Sequence, residues 1–205
     1  MIRAVAATFA LVATVVATGV AAQSGGPLHL ECAGPFGAGA DEAALARVFG
    51  AGNISAEVID GPEGTVLDAT LVYPADPDRR LIVLWHDEFA RARPAAIIIR
   101  DESQWIGPGG VRRGATIDEV EAINGAPFVI LGFGWDYGGA ASFPSGVLSE
   151  LPGGCSLSLS FTLDWEREYG PEFDAIMGDQ AVSSDNPVMR RAAPTVSEIA
   201  VGYPQ

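Results

Sequence analysis

Residues 114–139 read GATIDEVEAINGAPFVILGFGWDYGG and contain a helix signal, a strand signal and an aromatic run in succession. Thr116 and Glu119 have the spacing of a capping box, in which each side chain accepts a hydrogen bond from the other residue's backbone amide. Isoleucine and valine recur on one helical face after Thr116, and Gly125 provides a stop. The pattern predicts a short amphipathic helix that leads into a strand at residues 128–137.

A looser copy of this pattern occurs at residues 41–50, where Asp41 takes the cap position and Gly50 ends the segment. Strand-like runs follow both helices. They lie at 54–60, 65–73, 80–87 and 95–100 in the first half, and at 128–137, 146–151, 155–163 and 196–203 in the second. Repetition of this kind indicates two similar structural units.

The sequence therefore predicts an α+β fold of two tandem helix-plus-four-stranded antiparallel sheet units that share a core. The first unit spans residues 41–113 and the second spans 114–205, after an N-terminal segment at 23–40. Within residues 155–163, Leu and Phe alternate with Ser and Thr, which is typical of an antiparallel strand with one solvated face. Residues 164–194 lack such a pattern, apart from a short helix signal at 172–177, and are expected to form a long excursion.

The two predicted units resemble the fold of the beta-lactamase inhibitor proteins. The opening of the second unit is similar to that of small envelope lipoproteins of the outer-membrane assembly type, through Gly114, Thr116, Glu119, Val120, Gly125 and Pro127. This resemblance covers a short motif, and it implies a protein-binding scaffold. The chain departs from the lipoprotein pattern because no small residues precede Cys32, so a lipid anchor is not expected.

The N-terminus has the pattern of a secretory signal. Arg3 supplies a positive charge, an apolar run follows, and small residues precede a cleavage site before Gln23. Residues 1–22 are therefore predicted to be a signal peptide, which implies a periplasmic or secreted protein without stable membrane insertion. In an oxidising compartment the two cysteines, Cys32 and Cys155, are expected to form a disulfide, with free or intermolecular thiols as the alternative.

The charge of the chain narrows the class of partner. Twelve basic residues against 26 acidic ones give a formal net charge of −14, which argues against nucleic acid because phosphate binding needs a basic surface. A cationic partner fits this charge, although acidity also serves solubility. The basic pairs Arg112-Arg113 and Arg190-Arg191 are expected to meet nearby acids at the surface.

The aromatic run supplies the candidate interface. If residues 128–137 formed one strand, Phe133, Trp135 and Tyr137 would share a face, with Asp136 between the last two. Large aromatic side chains contribute much of the binding energy at interfaces, so Phe133, Trp135, Asp136 and Tyr137 are predicted as interface residues. The alternative is that these aromatic residues belong to the core.

Signals for catalysis are weak. His86, Asp87 and Glu88 could form an acid/base cluster, but neighbours along a strand face opposite ways. No nucleophile or phosphate-binding motif occurs, and with two histidines neither a metal site nor a cofactor is expected. The sequence predicts an exported, non-enzymatic protein-binding or scaffold protein of the bacterial cell envelope. Two alternatives remain: an inhibitor of a cationic secreted hydrolase such as lysozyme, and a hydrolase that uses His86 with Asp87 or Glu88.

Overall fold

The computed structural model describes residues 28–61 and 64–205. The signal peptide expected at residues 1–22 lies outside the described residues and stays a prediction. The helices are α1 (Glu42–Phe49), α2 (Ile117–Asn124) and α3 (Pro187–Ala192). The strands are β1 (Ile54–Asp60), β2 (Val66–Val72), β3 (Leu81–Asp87), β4 (Ala92–Ile99), β5 (Val129–Leu131), β6 (Ala140–Ser142), β7 (Ser156–Thr162), β8 (Ala181–Ser183) and β9 (Thr195–Gly202).

These nine strands form one antiparallel sheet in the order β1-β2-β3-β4-β9-β7-β6-β5-β8. The expectation of two tandem helix-plus-four-stranded units is therefore wrong. Strand β4 pairs with β9, with Ile97 opposite Val201 and Ile99 opposite Ile199, so the first part of the chain and its C-terminus lie in a single sheet. This pairing satisfies backbone groups of β4 that an isolated four-stranded unit would leave at an edge.

The second half also departs from the expected strands. Residues 128–137 form a strand only at β5, which ends at Leu131, because the glycine-rich chain that follows turns back to begin β6. Gly132 donates its backbone amide to Gln180 (2.8 Å), and the carbonyls of Ile176 and Gly178 approach so closely that a side chain at Gly132 would not fit. Residues 146–151 form turns rather than a strand. The excursion at 164–194 supplies both β8 and α3, neither of which was expected.

One hydrophobic core lies on one face of the sheet. The helices contribute Leu45 from α1, Ile117 and Val120 from α2, and Met189 from α3. The strands contribute every second side chain, as period-two alternation requires. In the central strands these are Val72, Leu81, Val83, Trp85, Ile97, Ile99, Ile199, Val201, Leu159 and Phe161. All three α-helices of the described residues therefore bury their apolar sides against the same face of the sheet.

Helix α2 begins and ends where the sequence predicts. The side chain of Thr116 accepts a hydrogen bond from the Glu119 amide (3.3 Å), and Glu119 Oε2 accepts one from the Thr116 amide (2.7 Å). The hydrogen bonds from Thr116 favour the ionised carboxylate and lower the pKa of Glu119. Gly125 takes a left-handed conformation, φ 74°, that ends the helix. Local hydrogen bonding thus sets both ends of α2.

Cys32 and Cys155 form a disulfide, which confirms the expected pairing. The two Cα atoms are 6.1 Å apart, and both residues are buried at the margin of the core. The bond joins the N-terminal segment to the residue just before β7. Leu30 and Phe36 flank Cys32 and lie in the same core. The N-terminal segment is therefore held both by the disulfide and by its packing in the core.

Candidate functional site

The face of the sheet opposite the helices has an apolar centre. Directly opposed residues in an antiparallel pair point to the same side, so the register defines this face. One row places Ile82 between Leu71 and Ile98, and the next places Leu84 between Ala69 and Ala96. Ala200 in β9 continues the first row, beside Ile98. We call this set the apolar patch: Ala69, Leu71, Ile82, Leu84, Ala96, Ile98 and Ala200.

No α-helix in the described part of the chain covers the apolar patch, because the core on the other side takes the buried apolar residues of all three α-helices. Leu71, Leu84 and Ile98 remain partly exposed. Ile82, at the centre, is only 3% exposed. Ala69 is also buried, at 2% exposure, so the patch is open to solvent only in part. A contiguous apolar surface that stays open to solvent on a folded domain commonly marks an interaction site.

Polar side chains border the apolar patch on both sides. Strand β1 places Ser55 opposite Leu71 and Glu57 opposite Ala69, and the next pair on this face, Ile59 opposite Leu67, is apolar. On the other side, Ser158 of β7 lies opposite Ala200, and Ser156 lies opposite Gly202. An apolar centre with a polar margin is the usual arrangement of a protein–protein interface.

Glu198 lies at one end of this face, opposite Ser160. Burial raises the pKa of its carboxyl above the ordinary 4.5, and Asp101 adds to this effect, whereas Arg100 opposes it. Because the folded state holds the proton more tightly than the unfolded state, this contribution to stability is fully present below pH 4.5. It is lost as the pH rises through the raised pKa. Ionised Glu198 therefore destabilises the fold at neutral pH.

We expect Glu198→Gln to be more stable than the wild type at pH 7, and this gain to shrink towards pH 3.5, because glutamine removes the cost of a partly buried carboxylate. Urea unfolding midpoints at the two pH values measure the effect. Glu150→Gln, at an exposed position, is the matched control and should shift little at either pH. An equal stability difference between wild type and Glu198→Gln at both pH values would contradict this account.

The structure separates the four predicted interface residues. Phe133 is 2% exposed and lies in the core, whereas Tyr137 is 64% exposed and Asp136 is exposed as well. Trp135 is partly buried, donates its indole N–H to the Gly132 carbonyl (2.7 Å) and packs edge-on against Tyr137 with ring centroids 5.4 Å apart. The four do not form one stripe, because β5 ends before them. An interface role for Trp135, Asp136 and Tyr137 stays a prediction.

His86, Asp87 and Glu88 are not brought together by any hydrogen bond or ion pair within the described residues. His86 Nε2 lies 2.9 Å from the Tyr203 carbonyl oxygen, and Asp87 Oδ1 accepts a hydrogen bond from the Ala90 amide (2.9 Å). Among residues 28–61 and 64–205, no group of three or more His, Cys, Asp or Glu is placed to hold a metal ion. The local hydrogen bonds give His86 and Asp87 structural partners at the end of β3.

The apolar patch was missed in the sequence, although a signal for it was present. Residues 81–85 and 95–99 are continuous apolar runs, LIVLW and AAIII, and such runs are typical of strands whose two faces are both apolar. An ordinary half-solvated strand alternates, as residues 155–163 do. The runs indicate that β3 and β4 carry a second apolar face.

Comparison with known proteins identifies no relative. No family model matches the chain, and neither a curated protein nor a solved structure matches it. The resemblance to the beta-lactamase inhibitor proteins and to small envelope lipoproteins therefore stays a prediction. Within the described residues, the helices are too short or too polar to cross a bilayer. The disulfide is compatible with a location outside the cytoplasm.

Proposed function

We propose that this chain is an exported, non-enzymatic protein that binds another protein of the bacterial cell envelope, and that its partner docks on the apolar patch. The observation that carries this proposal is the face formed by Leu71, Ile82, Leu84 and Ile98, which no helix of the described residues covers. Burying such side chains is worth roughly 25 cal/mol per Å² of apolar surface, so a complementary partner would gain affinity there.

The partner is a folded protein with a net positive charge and an apolar surface of its own. The chain carries a formal net charge of −14, so a partner of opposite net charge meets it faster, whereas the like charge of two copies disfavours self-association. The hydroxyl groups of Ser55, Ser156 and Ser158 and the carboxylate of Glu57 at the margin offer hydrogen bonds to polar groups of such a partner.

The test compares three single arginine substitutions in capture and cross-linking from the exported fraction of the source organism. Leu84→Arg and Ile98→Arg place a positive charge within the apolar patch, and each is expected to weaken binding at least tenfold. The physical reasons are the burial of an unpaired charge at the contact and its repulsion from a basic partner. The captured protein is then identified by mass spectrometry and titrated in purified form by calorimetry.

The matched control is Val58→Arg. Val58 is exposed. It follows Glu57, which is on the patch side opposite Ala69, so its own side chain points to the other face. The change therefore adds the same charge away from the patch. A partner retained by the wild type and by Val58→Arg, but lost by both patch variants, supports the proposal. Far-UV circular dichroism of each variant confirms that the fold is intact. Equal capture by all four proteins would rule out the apolar patch as the docking site.

A second candidate, inhibition of a cationic secreted hydrolase such as lysozyme, is favoured by the same net charge. A turbidity assay with lysozyme and bacterial cells tests it directly. Slowing of lysis by the wild type, and not by Ile98→Arg, would make the partner a hydrolase. Unchanged lysis at stoichiometric excess would remove lysozyme as the target.

A further inference from the structure

We infer that a cavity at the start of β9 binds a small carboxylate ligand. The cavity measures about 310 Å³ and is lined by Ser103, Arg112, Arg113, Thr162, Thr195 and Ser197, among others. Its size falls at the lower end of the range of small-molecule sites, roughly 300 to 1,000 Å³. This inference does not depend on the proposed function, since none of the residues that line the cavity belongs to the apolar patch.

The charge of the cavity contrasts with that of the chain. Its lining includes two arginines and no acidic residue, although 26 acidic residues occur in the sequence. Within the described residues neither Arg112 nor Arg113 forms an ion pair, whereas Arg190 pairs with both Asp118 and Glu121. The expectation that both basic pairs meet nearby acids therefore holds for Arg190 and not for Arg112 or Arg113. Two unneutralised guanidinium groups at one cavity favour an anion.

A β-bulge holds Arg113 in place. The register between β7 and β9 shifts between Ser160 and Phe161, so that Ser197 has no partner across the pair. The Ser197 carbonyl accepts a hydrogen bond from Arg113 Nε (2.7 Å). This contact fixes one nitrogen of the guanidinium and leaves its two terminal nitrogens for a ligand. Bulges of this kind often lie beside functional sites, because they redirect groups out of the ladder.

Ser103 supplies the second observation that points to a ligand. The residue is 1% exposed, and its hydroxyl is a buried polar atom without a hydrogen-bond partner in the described structure. A buried hydroxyl that lacks a partner is costly, and such groups in native proteins call for an explanation. A ligand oxygen in the adjacent cavity would satisfy Ser103, and the hydroxyls of Thr162 and Thr195 line the same space.

The chemistry of the lining selects a singly charged carboxylate that also carries hydroxyl groups. The planar fork of an arginine binds a carboxylate or a phosphate through paired hydrogen bonds. A net charge of −14 on the chain opposes the approach of a doubly charged phosphate more strongly than that of a monoanion. The Ser and Thr hydroxyls match a ligand that bears hydroxyls of its own, such as a hydroxy acid or a sugar acid.

Calorimetric titration of the full chain with D-gluconate, a monoanionic polyol, tests this inference, with glucitol as the neutral analogue and inorganic phosphate as the alternative anion. We expect gluconate to bind, phosphate to bind more weakly and glucitol to give no saturable heat. Arg112→Gln, at a side chain without hydrogen bonds in the described structure, should weaken gluconate binding about tenfold without loss of folding. Arg113→Lys keeps the charge but removes the fork, and should also weaken binding.

Arg191→Gln, an exposed arginine in α3, makes the same change of charge away from the cavity and should leave binding unchanged. Equal gluconate binding by the wild type, Arg112→Gln and Arg113→Lys would overturn the inference, as would no saturable heat at millimolar gluconate. Phosphate binding as tight as gluconate binding would overturn the assignment of a carboxylate. None of these outcomes bears on the capture experiment, whose patch variants at Leu84 and Ile98 lie outside the cavity.

Discussion

Replacing both Cys32 and Cys155 by alanine is expected to lower the free energy of unfolding by about 5 kcal/mol, according to the chain-entropy model for a loop of this length. The disulfide closes a sequence separation of 123 residues. Without it, the unfolded chain gains the freedom that the cross-link removes, whereas the folded state keeps the packing of Leu30 and Phe36. Urea unfolding of the double variant, followed by tryptophan fluorescence, measures the difference.

Two controls accompany the double variant. Wild-type protein unfolded in the presence of a thiol reductant should match it, since reduction removes the same cross-link without changing a side chain. Hydrogen exchange should show the largest loss of protection at residues 28–36, because the bond ties this segment to β7. A loss of stability below about 1 kcal/mol would mean that the unfolded chain is already compact without the cross-link.

The second large effect is expected at Asn124, the last residue of α2. Its side chain is fully buried, at 0% exposure. The amide nitrogen donates to the carbonyls of Ala126 (2.8 Å) and Ser145 (2.9 Å), and the amide oxygen accepts from the Leu148 amide (3.0 Å). Asn124→Ala would leave three backbone groups without partners, and each such group costs about 1 to 3 kcal/mol when buried. We expect a combined loss of about 3 to 5 kcal/mol, because part of the cost is relieved by water.

Asn53→Ala is the matched control for Asn124. The Asn53 side chain makes one exposed hydrogen bond, to the Phe49 carbonyl (2.8 Å), so its loss should cost less than about 1 kcal/mol. Thermal and urea unfolding of both variants measure the difference. Asn124→Asp keeps the acceptor and removes both donors, and it should be less stable at pH 7 than at pH 4. A loss at Asn124→Ala as small as that at Asn53→Ala would show that water replaces all three hydrogen bonds.

Elements with local causes were predictable from the sequence. The capping box of α2 needs only Thr116, Glu119 and the amides between them, and the structure confirms it. The alternation in residues 155–163 predicted β7, with Leu159 and Phe161 in the core and the serines on the opposite face. Helix caps and the periodicity of apolar residues depend on residues close together in the sequence, so both can be identified from the sequence directly.

The sheet was not predictable in this way. Pairing of β4 with β9 joins residues about one hundred positions apart. Apolar periodicity identifies a strand but does not indicate which other strand it pairs with. The excursion at 164–194 contributes β8, in which Val182 lies opposite Ile130. A strand of three residues is too short to show a clear alternation in the sequence. The strand expected at 128–137 ended early because Gly132 meets the backbone of residues 176–178, which is a contact between distant segments.

The sequence by itself determined the helix α2, most strands of the first half and the pair of cysteines that form the disulfide. Only the tertiary structure decided where a ligand or a partner could bind. The apolar patch exists because four neighbouring strands align Leu71, Ile82, Ile98 and Ala200 in one row. The cavity exists because a bulge at Ser197 meets Arg113 from a distant loop. Both sites are made of residues far apart in the chain, so their chemistry appears only when strand pairing brings them together.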